Sequence, residues 1–322
     1  MTPPPIAILH APGTNRDIDA AIAFELAGGS PEIVHINQLL AGERRLAEYA
    51  LLVLPGGFSY GDDLGAGKLW AVRLLHELGD QLGAFAAAGK PIIGICNGFQ
   101  VLVKTGLLPG ASGRSQVASG RSQVASGKRQ VAEPVLSETK DGKWQVASGR
   151  SQVAEPVLSR TKDGRSGHGT RNTEHGTRDN QRATLTRNES AQFECRWVWL
   201  EPNGGNRSPW LAGLGRIHCP VAHGEGNFVA GDDETLAGLQ AAGLVAFTYV
   251  DAEGRPGPYP ANPNGSAANI AGITNAAGNI LGLMPHPEDH IFPWQHPGFH
   301  RRAGGHVGLK LFQNGIVLAS MA

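Results

Sequence analysis

Cys96 lies in a short turn whose sequence is suited to presenting a reactive side chain. The segment GICNG, residues 94–98, places the cysteine between two glycines, directly after an apolar run. This G-x-C-x-G pattern is the thiol counterpart of the G-x-S-x-G elbow, in which a strand turns sharply into a helix. A helix that begins near Asn97 would direct its positive dipole end at the sulfur and favour the thiolate. Free cysteines are also among the most buried residue types, so a packing role for Cys96 stays open at this point.

A second segment offers a base for such a nucleophile. MPHPEDH, residues 284–290, follows the apolar run NILGL, so His286 is also expected at the end of a strand. The nearby carboxylate of Glu288 can fix the tautomer and orientation of the imidazole. A nucleophile, a base and a group that orients the base together make the arrangement used in acyl transfer. A surface His-Pro turn is the alternative interpretation of this segment.

Acyl transfer also needs hydrogen-bond donors for a developing oxyanion. The glycine-rich segment PGGFSYGDD, residues 55–63, follows the apolar run ALLVL and is therefore predicted at the same edge of the sheet. The backbone N–H groups of Gly57 and Asn97 could serve as two such donors. Because glycine-rich turns are common, this segment corroborates the interpretation without establishing it.

The elements that must position these segments follow a strand–helix–strand pattern. Short, continuous apolar strands that alternate with helices are typical of a parallel sheet covered on both faces. In such a sheet functional groups collect at the carboxyl ends of the strands. We therefore predict an α/β fold with an open, mostly parallel sheet flanked by helices. The predicted strands are 6–10, 32–36, 50–55, 91–95, 193–200, 216–223, 244–250 and 279–285, and the predicted helices include 17–27, 66–88 and about 306–320.

Composition limits the class of protein. The 322 residues carry no net formal charge, and 41% of them are hydrophobic, which is enough for a substantial core. No apolar run approaches the ~20 residues that span a bilayer, and the N-terminus lacks the layout of a signal peptide. The cysteines, Cys96, Cys195 and Cys219, are too few for a disulfide framework and match no zinc spacing. We expect a cytoplasmic protein without membrane contact, in which Cys195 and Cys219 are structural.

Residues 112–182 differ from the rest of the chain in charge and in pattern. They hold 13 Lys and Arg against 7 Asp and Glu, and they repeat short units such as SGRSQVA. Such a segment buries too little apolar surface to offset its ordering entropy, so we predict a disordered, basic, low-complexity insertion. The alternative is a basic arm that contacts RNA or a partner, but without interleaved aromatic residues we do not expect nucleic acid binding. Residues 1–111 and 183–322 would together form one domain.

The segment GAGKLW, residues 65–70, partly matches a phosphate-binding loop. The pattern G-x-x-x-x-G-K-[ST] requires glycine and a hydroxyl residue where this chain has Asp62 and Leu69. No G-x-G-x-x-G fingerprint opens the first strand–helix turn either. We therefore predict no nucleotide site, no metal and no cofactor on this chain.

Together these segments resemble the class I, or triad-type, glutamine amidotransferases, and they are most similar to the glutaminase subunits of phosphoribosylformylglycinamidine synthase. The resembling blocks run in the family's order along the chain on both sides of the repeats. They are APGTNRDIDAA (11–21), LPGGFSYGDDLGAG (54–67), GKPIIGICNGFQVLVKTGLLPG (89–110), RNESAQFECRWVWL (187–200), PVAHGEGNF (220–228) and LGLMPHPED (281–289). The family passes directly from a stretch like LLPGA to one like LTRNES, whereas residues 112–184 intervene here.

The resemblance implies a flavodoxin-like core and a set of catalytic roles. Cys96 would attack the side-chain amide of L-glutamine, His286 would relay protons, and Glu288 would orient His286. The N–H groups of Gly57 and Asn97 would form the oxyanion hole. The resemblance further implies that Gln100 binds the glutamine substrate. His223 and Glu225 would line the substrate-binding pocket or the interface with the partner.

The resemblance also implies partners. Ammonia would pass along a protected path to a large synthetase subunit that holds ATP and Mg²⁺, with a small accessory subunit as a further partner. Two other functions stay open on sequence grounds. One is a cysteine hydrolase or protease-like protein of similar architecture, and the other is a non-catalytic binding module that acts through its repeats. The pairing of His286 with Glu288 and the block PVAHGEGNF favour the amidotransferase.

Overall fold

The structure is a computed structural model that describes residues 2–110, 136–138, 144–146, 183–301 and 305–321. Its strands are β1 (Pro5–His10), β2 (Ser30–His35), β3 (Leu51–Leu54), β4 (Ile92–Ile95), β5 (Leu136–Glu138), β6 (Trp144–Val146), β7 (Ala183–Thr186), β8 (Glu194–Pro202), β9 (Ile217–His223), β10 (Asn227–Ala230), β11 (Val245–Val250), β12 (Ile270–Thr274) and β13 (Ile280–Leu283). Its α-helices are α1 (Asp17–Leu26), α2 (Ile36–Leu40), α3 (Lys68–Ala87), α4 (Asn97–Lys104), α5 (Asp233–Ala241) and α6 (Leu309–Ala319).

The chain divides into two compact units. One comprises Met1–Gly120 with Asp179–Ala322, and the other comprises Arg121–Arg178. The described part of the second unit is the antiparallel pair of β5 and β6. The rest of the predicted disordered insertion lies outside the described residues, so that prediction stays a prediction.

A nine-stranded mixed sheet runs through the larger unit in the order β2-β1-β3-β4-β13-β12-β11-β8-β9. Neighbouring strands are parallel from β2 to β13 and antiparallel from β13 to β9. Every residue of β3 and β4 is buried, as the continuous apolar runs predicted for strands covered on both faces. The antiparallel edge differs, because β9 alternates buried and half-buried residues. The predicted sheet is therefore confirmed, with an antiparallel extension at one side.

Helices pack in pairs beside this sheet. Helix α1 packs against α6, where the rings of Phe24 and Phe312 meet edge to face with centroids 5.1 Å apart. Helix α3 packs against α4, which also contacts β3, β4 and β13. None of the helices among the described residues is long and apolar enough to cross a bilayer.

Strand β12 is an element that the sequence analysis did not predict. All five of its residues are buried, but its sequence IAGIT is short and contains Gly272. A Cβ on Gly272 would lie 2.6 Å from the carbonyl oxygen of Gly282 on the neighbouring strand, so glycine is needed for the close approach. Glycine inside a strand weakens the local signal for that strand.

Glycine also sets how closely α4 approaches the sheet. A Cβ on Gly98, in the first turn of α4, would lie 1.8 Å from the carbonyl oxygen of Leu54 in β3. A Cβ on Gly94, in β4, would lie 2.6 Å from the carbonyl oxygen of Gly98. The helix can therefore begin directly against the sheet, and this contact fixes the junction that contains Cys96.

We predict that Gly98→Ala lowers the free energy of unfolding by about 1–3 kcal/mol, because the added methyl group forces α4 away from β3. Gly79→Ala is the matched control. A Cβ on Gly79, inside α3, would meet no atom within 4 Å, so alanine there should stabilise the protein by roughly 0.5–1 kcal/mol. Urea denaturation measures both changes. Equal effects of the two substitutions would contradict the proposed contact.

Candidate active site

Cys96 occupies a sharp turn between β4 and α4. Its backbone has φ 52° and ψ −107°, a conformation that non-glycine residues rarely adopt. The N–H of Cys96 donates a hydrogen bond to the carbonyl oxygen of Leu283, with an N···O distance of 2.8 Å. The side chain is only 5% exposed, and its Sγ lies 3.8 Å from the carbonyl oxygen of Ala222. The strained elbow that the flanking glycines predicted is therefore present.

His286 and Glu288 form a buried pair beyond the end of β13, the strand next to β4. The Nδ1 atom of His286 lies 2.7 Å from Oε1 of Glu288. Burial alone would lower the pKa of His286, but the charges of Glu288 and the Cys96 thiolate raise it well above its ordinary value. With Nδ1 held by the carboxylate, the imidazole is left to interact with the Cys96 side chain, and a hydrogen bond to that side chain also raises the pKa of His286. The pair can therefore carry a positive charge beside Cys96 and direct Nε2 to a reacting group.

The glycine-rich loop meets both side chains at Gly56. A Cβ on Gly56 would lie 2.7 Å from Cε1 of His286 and 3.5 Å from Cβ of Cys96. Only glycine lets the loop backbone approach this closely. The structure thus brings together the three segments that the sequence analysis singled out for acyl transfer.

Of the two residues predicted to form the oxyanion hole, Asn97 directly follows Cys96, and Gly57 directly follows Gly56, whose added Cβ would lie 3.5 Å from Cβ of Cys96. Gly57 follows Gly56, has φ 137° and pairs with Thr14 in an isolated β-bridge. Asn97 begins α4, and the first N–H groups of a helix have no partner inside the helix. The assignment of their N–H groups to the oxyanion hole stays a prediction.

Gln100 and Glu225 connect α4 to the loop after β9. The side-chain amide of Gln100 donates a hydrogen bond to the backbone carbonyl oxygen of Glu225. The Glu225 carboxylate accepts a hydrogen bond from the backbone N–H of Ala66, at 3.1 Å. The structure therefore brings Gln100 and Glu225 together beside the glycine-rich loop.

His223 is also buried, but its surroundings differ from those of His286. Its Nδ1 lies 3.1 Å from the side-chain oxygen of Asn188. Burial and the nearby His286 lower the pKa of His223 to about 3. His223 is therefore neutral near pH 7.

The sequence analysis missed the polar side chains that hold this framework. Ser59 donates a hydrogen bond through its hydroxyl to the side-chain oxygen of Asn97, at 2.5 Å. The side-chain amide of Asn97 donates to Asp62 at 3.2 Å, and burial raises the pKa of Asp62. Asn188 accepts from the N–H of Gly226 at 2.9 Å. Ser59 and Asp62 lie in the loop PGGFSYGDD, in which the sequence alone marks Asp62 only as a mismatch to a phosphate-binding loop.

The remaining cysteines lie in strands. Cys219 is buried in β9, and burial raises the pKa of its thiol well above the ordinary value, whereas Cys195 is exposed on β8. Among the described residues, no group of three or more His, Cys, Asp or Glu side chains could hold a metal ion. The prediction that this chain carries no cofactor stays a prediction.

Known proteins are similar to this chain in sequence and in fold. The family of the CobB/CobQ-like glutamine amidotransferase domain matches residues 3–130 and 169–317. A relative from Treponema denticola, phosphoribosylformylglycinamidine synthase subunit PurQ, is 45% identical over 294 residues, which cover 89% of this chain and 88% of the relative. The chain belongs to this glutamine amidotransferase family. A PurQ subunit from Dehalococcoides mccartyi is 38% identical, over 96% of this chain and 95% of that protein.

The fold comparison agrees with this membership. A chain in the structure of PurLQS from Thermotoga maritima superimposes with a TM-score of 0.59 and 27% sequence identity. The match covers 98% of this chain and 97% of that chain. The resemblance stated from the sequence is therefore confirmed at the level of family and fold.

We predict that Glu288→Gln slows alkylation of Cys96 by iodoacetamide roughly tenfold at neutral pH, the effect of one pKa unit. Without the carboxylate the pKa of His286 falls, so the imidazolium beside the thiol is lost at a lower pH. Mass spectrometry of the labelled peptides gives the rate as a function of pH. The exposed Cys195 is the internal control, and its rate should not change. A Cys96 rate that is unchanged, or that follows the rate of Cys195, would contradict the role of the pair.

Proposed function

We propose that this chain is the glutaminase subunit of a phosphoribosylformylglycinamidine synthase and that Cys96, His286 and Glu288 are its catalytic triad. The observation that carries the proposal is the strained Cys96 elbow beside the buried His286–Glu288 pair, in a chain of this family. The PurQ relatives support the reaction of the complex, and the geometry supports the residue roles.

The first half-reaction forms a thioester. The Cys96 thiolate attacks the carboxamide carbon of glutamine, and the N–H groups of Gly57 and Asn97 donate hydrogen bonds to the oxyanion that develops. The His286 imidazolium then gives its Nε2 proton to the leaving nitrogen. Ammonia departs, the C–N bond is broken, and a glutamyl thioester remains on Cys96.

The second half-reaction returns the enzyme to its starting state. Neutral His286 removes a proton from water as the water oxygen attacks the thioester carbon. The tetrahedral intermediate collapses, glutamate leaves, and Cys96 is again a thiolate beside imidazolium. Glu288 holds Nδ1 throughout, so one nitrogen of His286 acts as acid and then as base.

Three further residues would bind and enclose glutamine. Gln100 and Glu225 lie beside the glycine-rich loop, and neutral His223 offers Nε2 without adding charge next to the imidazolium. Each is placed by hydrogen bonds to a different segment of the site. We therefore assign substrate binding, rather than proton transfer, to these three residues.

The ammonia would be used by another subunit. In water ammonia is largely protonated near neutral pH, and only the neutral form is a nucleophile, so a protected path to the next site is required. The fold match is to a chain of a PurLQS complex, which supports a large synthetase subunit as partner. ATP and Mg²⁺ would be held by that subunit, with a small accessory subunit in the assembly, and the conversion of phosphoribosylformylglycinamide to phosphoribosylformylglycinamidine would take place there.

We predict that Cys96→Ala abolishes glutamine-dependent synthesis in the reconstituted complex, with a loss of at least about 10³-fold, because no other group supplies the nucleophile. Synthesis from added ammonia should be unchanged, since that reaction bypasses this site. Cys195→Ala is the matched control and should leave both reactions intact. Glutamine-dependent synthesis that survives Cys96→Ala would refute the assignment.

Deletion of residues 112–182 separates catalysis from any role of the repeats. All proposed site residues and the nine-stranded sheet lie within residues 2–110 and 183–301. Because the cost of closing a loop changes only slowly with its length, we expect glutaminase kcat/KM to stay within about threefold of the full chain. A folded deletion variant that has lost this activity would favour the alternative in which the repeats act.

A further inference from the structure

Arg16 links the start of α1 to the turn that carries Glu288. Its Nη1 lies 3.3 Å from Oδ2 of Asp19 and 3.3 Å from Oδ1 of Asp289. Asp289 follows Glu288 in the 3₁₀ turn Pro287–His290. A single guanidinium group therefore joins a loop near the N-terminus to a turn 273 residues later in the chain.

The aliphatic part of Arg16 lies close to the reacting groups. A Cβ on Gly56 would lie 3.4 Å from Cγ of Arg16, and its other two neighbours would be the His286 ring and Cβ of Cys96. Arg16, the proposed nucleophile and the proposed base thus surround the same point beside Gly56. A shift of Arg16 would therefore disturb the packing of His286 and Cys96 against the Gly56 loop.

The carboxylates of Glu288 and Asp289 are consecutive on this turn, so two negative charges lie close together unless a positive charge offsets one of them. Burial and the charge of Glu288 raise the pKa of Asp289 to about 6, while His286 and Arg16 lower it. Asp289 is therefore mostly ionised at neutral pH. Asp19 on α1 adds a further negative charge, and the buried thiol of Cys219 also faces this turn. Among the described residues, Arg16 is the arginine that forms ion pairs with Asp19 and Asp289.

We propose that Arg16 is a positioning residue for the glutaminase reaction, acting through Asp289 to hold the Glu288 turn against the Gly56 loop and to offset the second carboxylate beside His286. The inference rests on the proposed function. When Arg16 is absent, the unopposed charge of Asp289 stabilises the imidazolium of His286. His286 then gives up its proton less readily to the departing nitrogen, so kcat falls while glutamine binding is little affected.

The test uses a charge reversal between the two positions, with glutamine hydrolysis measured in the reconstituted complex. Arg16→Asp should lower kcat about tenfold or more, the effect of one unit in the pKa of His286. Asp289→Arg should lower kcat for a different reason, because two positive charges at this contact repel each other and move the Glu288 turn. KM for glutamine should change less than about threefold. The double variant restores one positive and one negative charge and should recover kcat to within about threefold of the original chain, as expected of coupled residues.

Arg16→Met is a milder variant. Its pH–rate profile distinguishes a change in the pKa of His286 from damage to the fold. Loss of the guanidinium should move the profile of kcat to higher pH, because the pKa of His286 rises. The melting temperature should change little, since Arg16 is 35% exposed and partly exposed ion pairs contribute little to stability. Arg44→Met is the matched control. Arg44 is 42% exposed and pairs with Glu32 at 2.8 Å, and its loss should leave kcat and the pH profile unchanged.

Three results would overturn the inference: Arg16→Met with the original kcat and pH profile, a double variant no more active than the single variants, or an equal loss in Arg44→Met. Cys96→Ala, assayed in parallel, separates this inference from the proposed function. If Cys96→Ala is inactive and Arg16→Met is unaffected, only the role of Arg16 is refuted. If Cys96→Ala stays active, the proposed function itself fails.

Discussion

The parallel pairing of β4 with β13 is the constraint on which the site depends. Ile95 is in register with Leu283, so both chains leave the sheet at the same edge. Cys96 follows one strand directly, and its N–H is bonded to the carbonyl oxygen of Leu283, at 2.8 Å. His286 follows the other strand within three residues. Two positions that are far apart in sequence therefore become neighbours through strand order, before any side chain makes a specific contact.

The sequence predicted those features that depend on a few consecutive residues. Apolar runs predicted most strands of the sheet, and G-x-C-x-G predicted the elbow. Both predictions succeed because strand burial and turn geometry depend on a few neighbouring residues. Strand β12 was missed because Gly272 interrupts a short run. The polar framework was missed for a different reason. The bonds from Ser59 to Asn97 and from Arg16 to Asp289 join segments whose proximity is known only once the strand order is known.

The position of the insertion explains how the chain accommodates it. Residues 112–182 enter after α4 and before β7, and β7 pairs with β10 rather than with the nine-stranded sheet. None of the strands that end at the proposed site is interrupted. The insertion therefore lengthens a connection without changing which residues meet at the sheet edge, and connection length adds to the folding cost only logarithmically.

Two buried histidines show how the hydrogen-bond partner of an imidazole decides whether its pKa falls or rises. His223 and His286 are 3% and 2% exposed, so burial disfavours the charged form of both. His223 is bonded to the neutral amide of Asn188, and its pKa falls to about 3. His286 is bonded to the carboxylate of Glu288, and its pKa rises well above the ordinary value despite the same burial. A histidine that must alternate between acid and base needs a protonated state that the enzyme can reach, and among these two only His286 has one. The carboxylate two residues away, rather than the histidine itself, is thus the feature that distinguishes the proposed base.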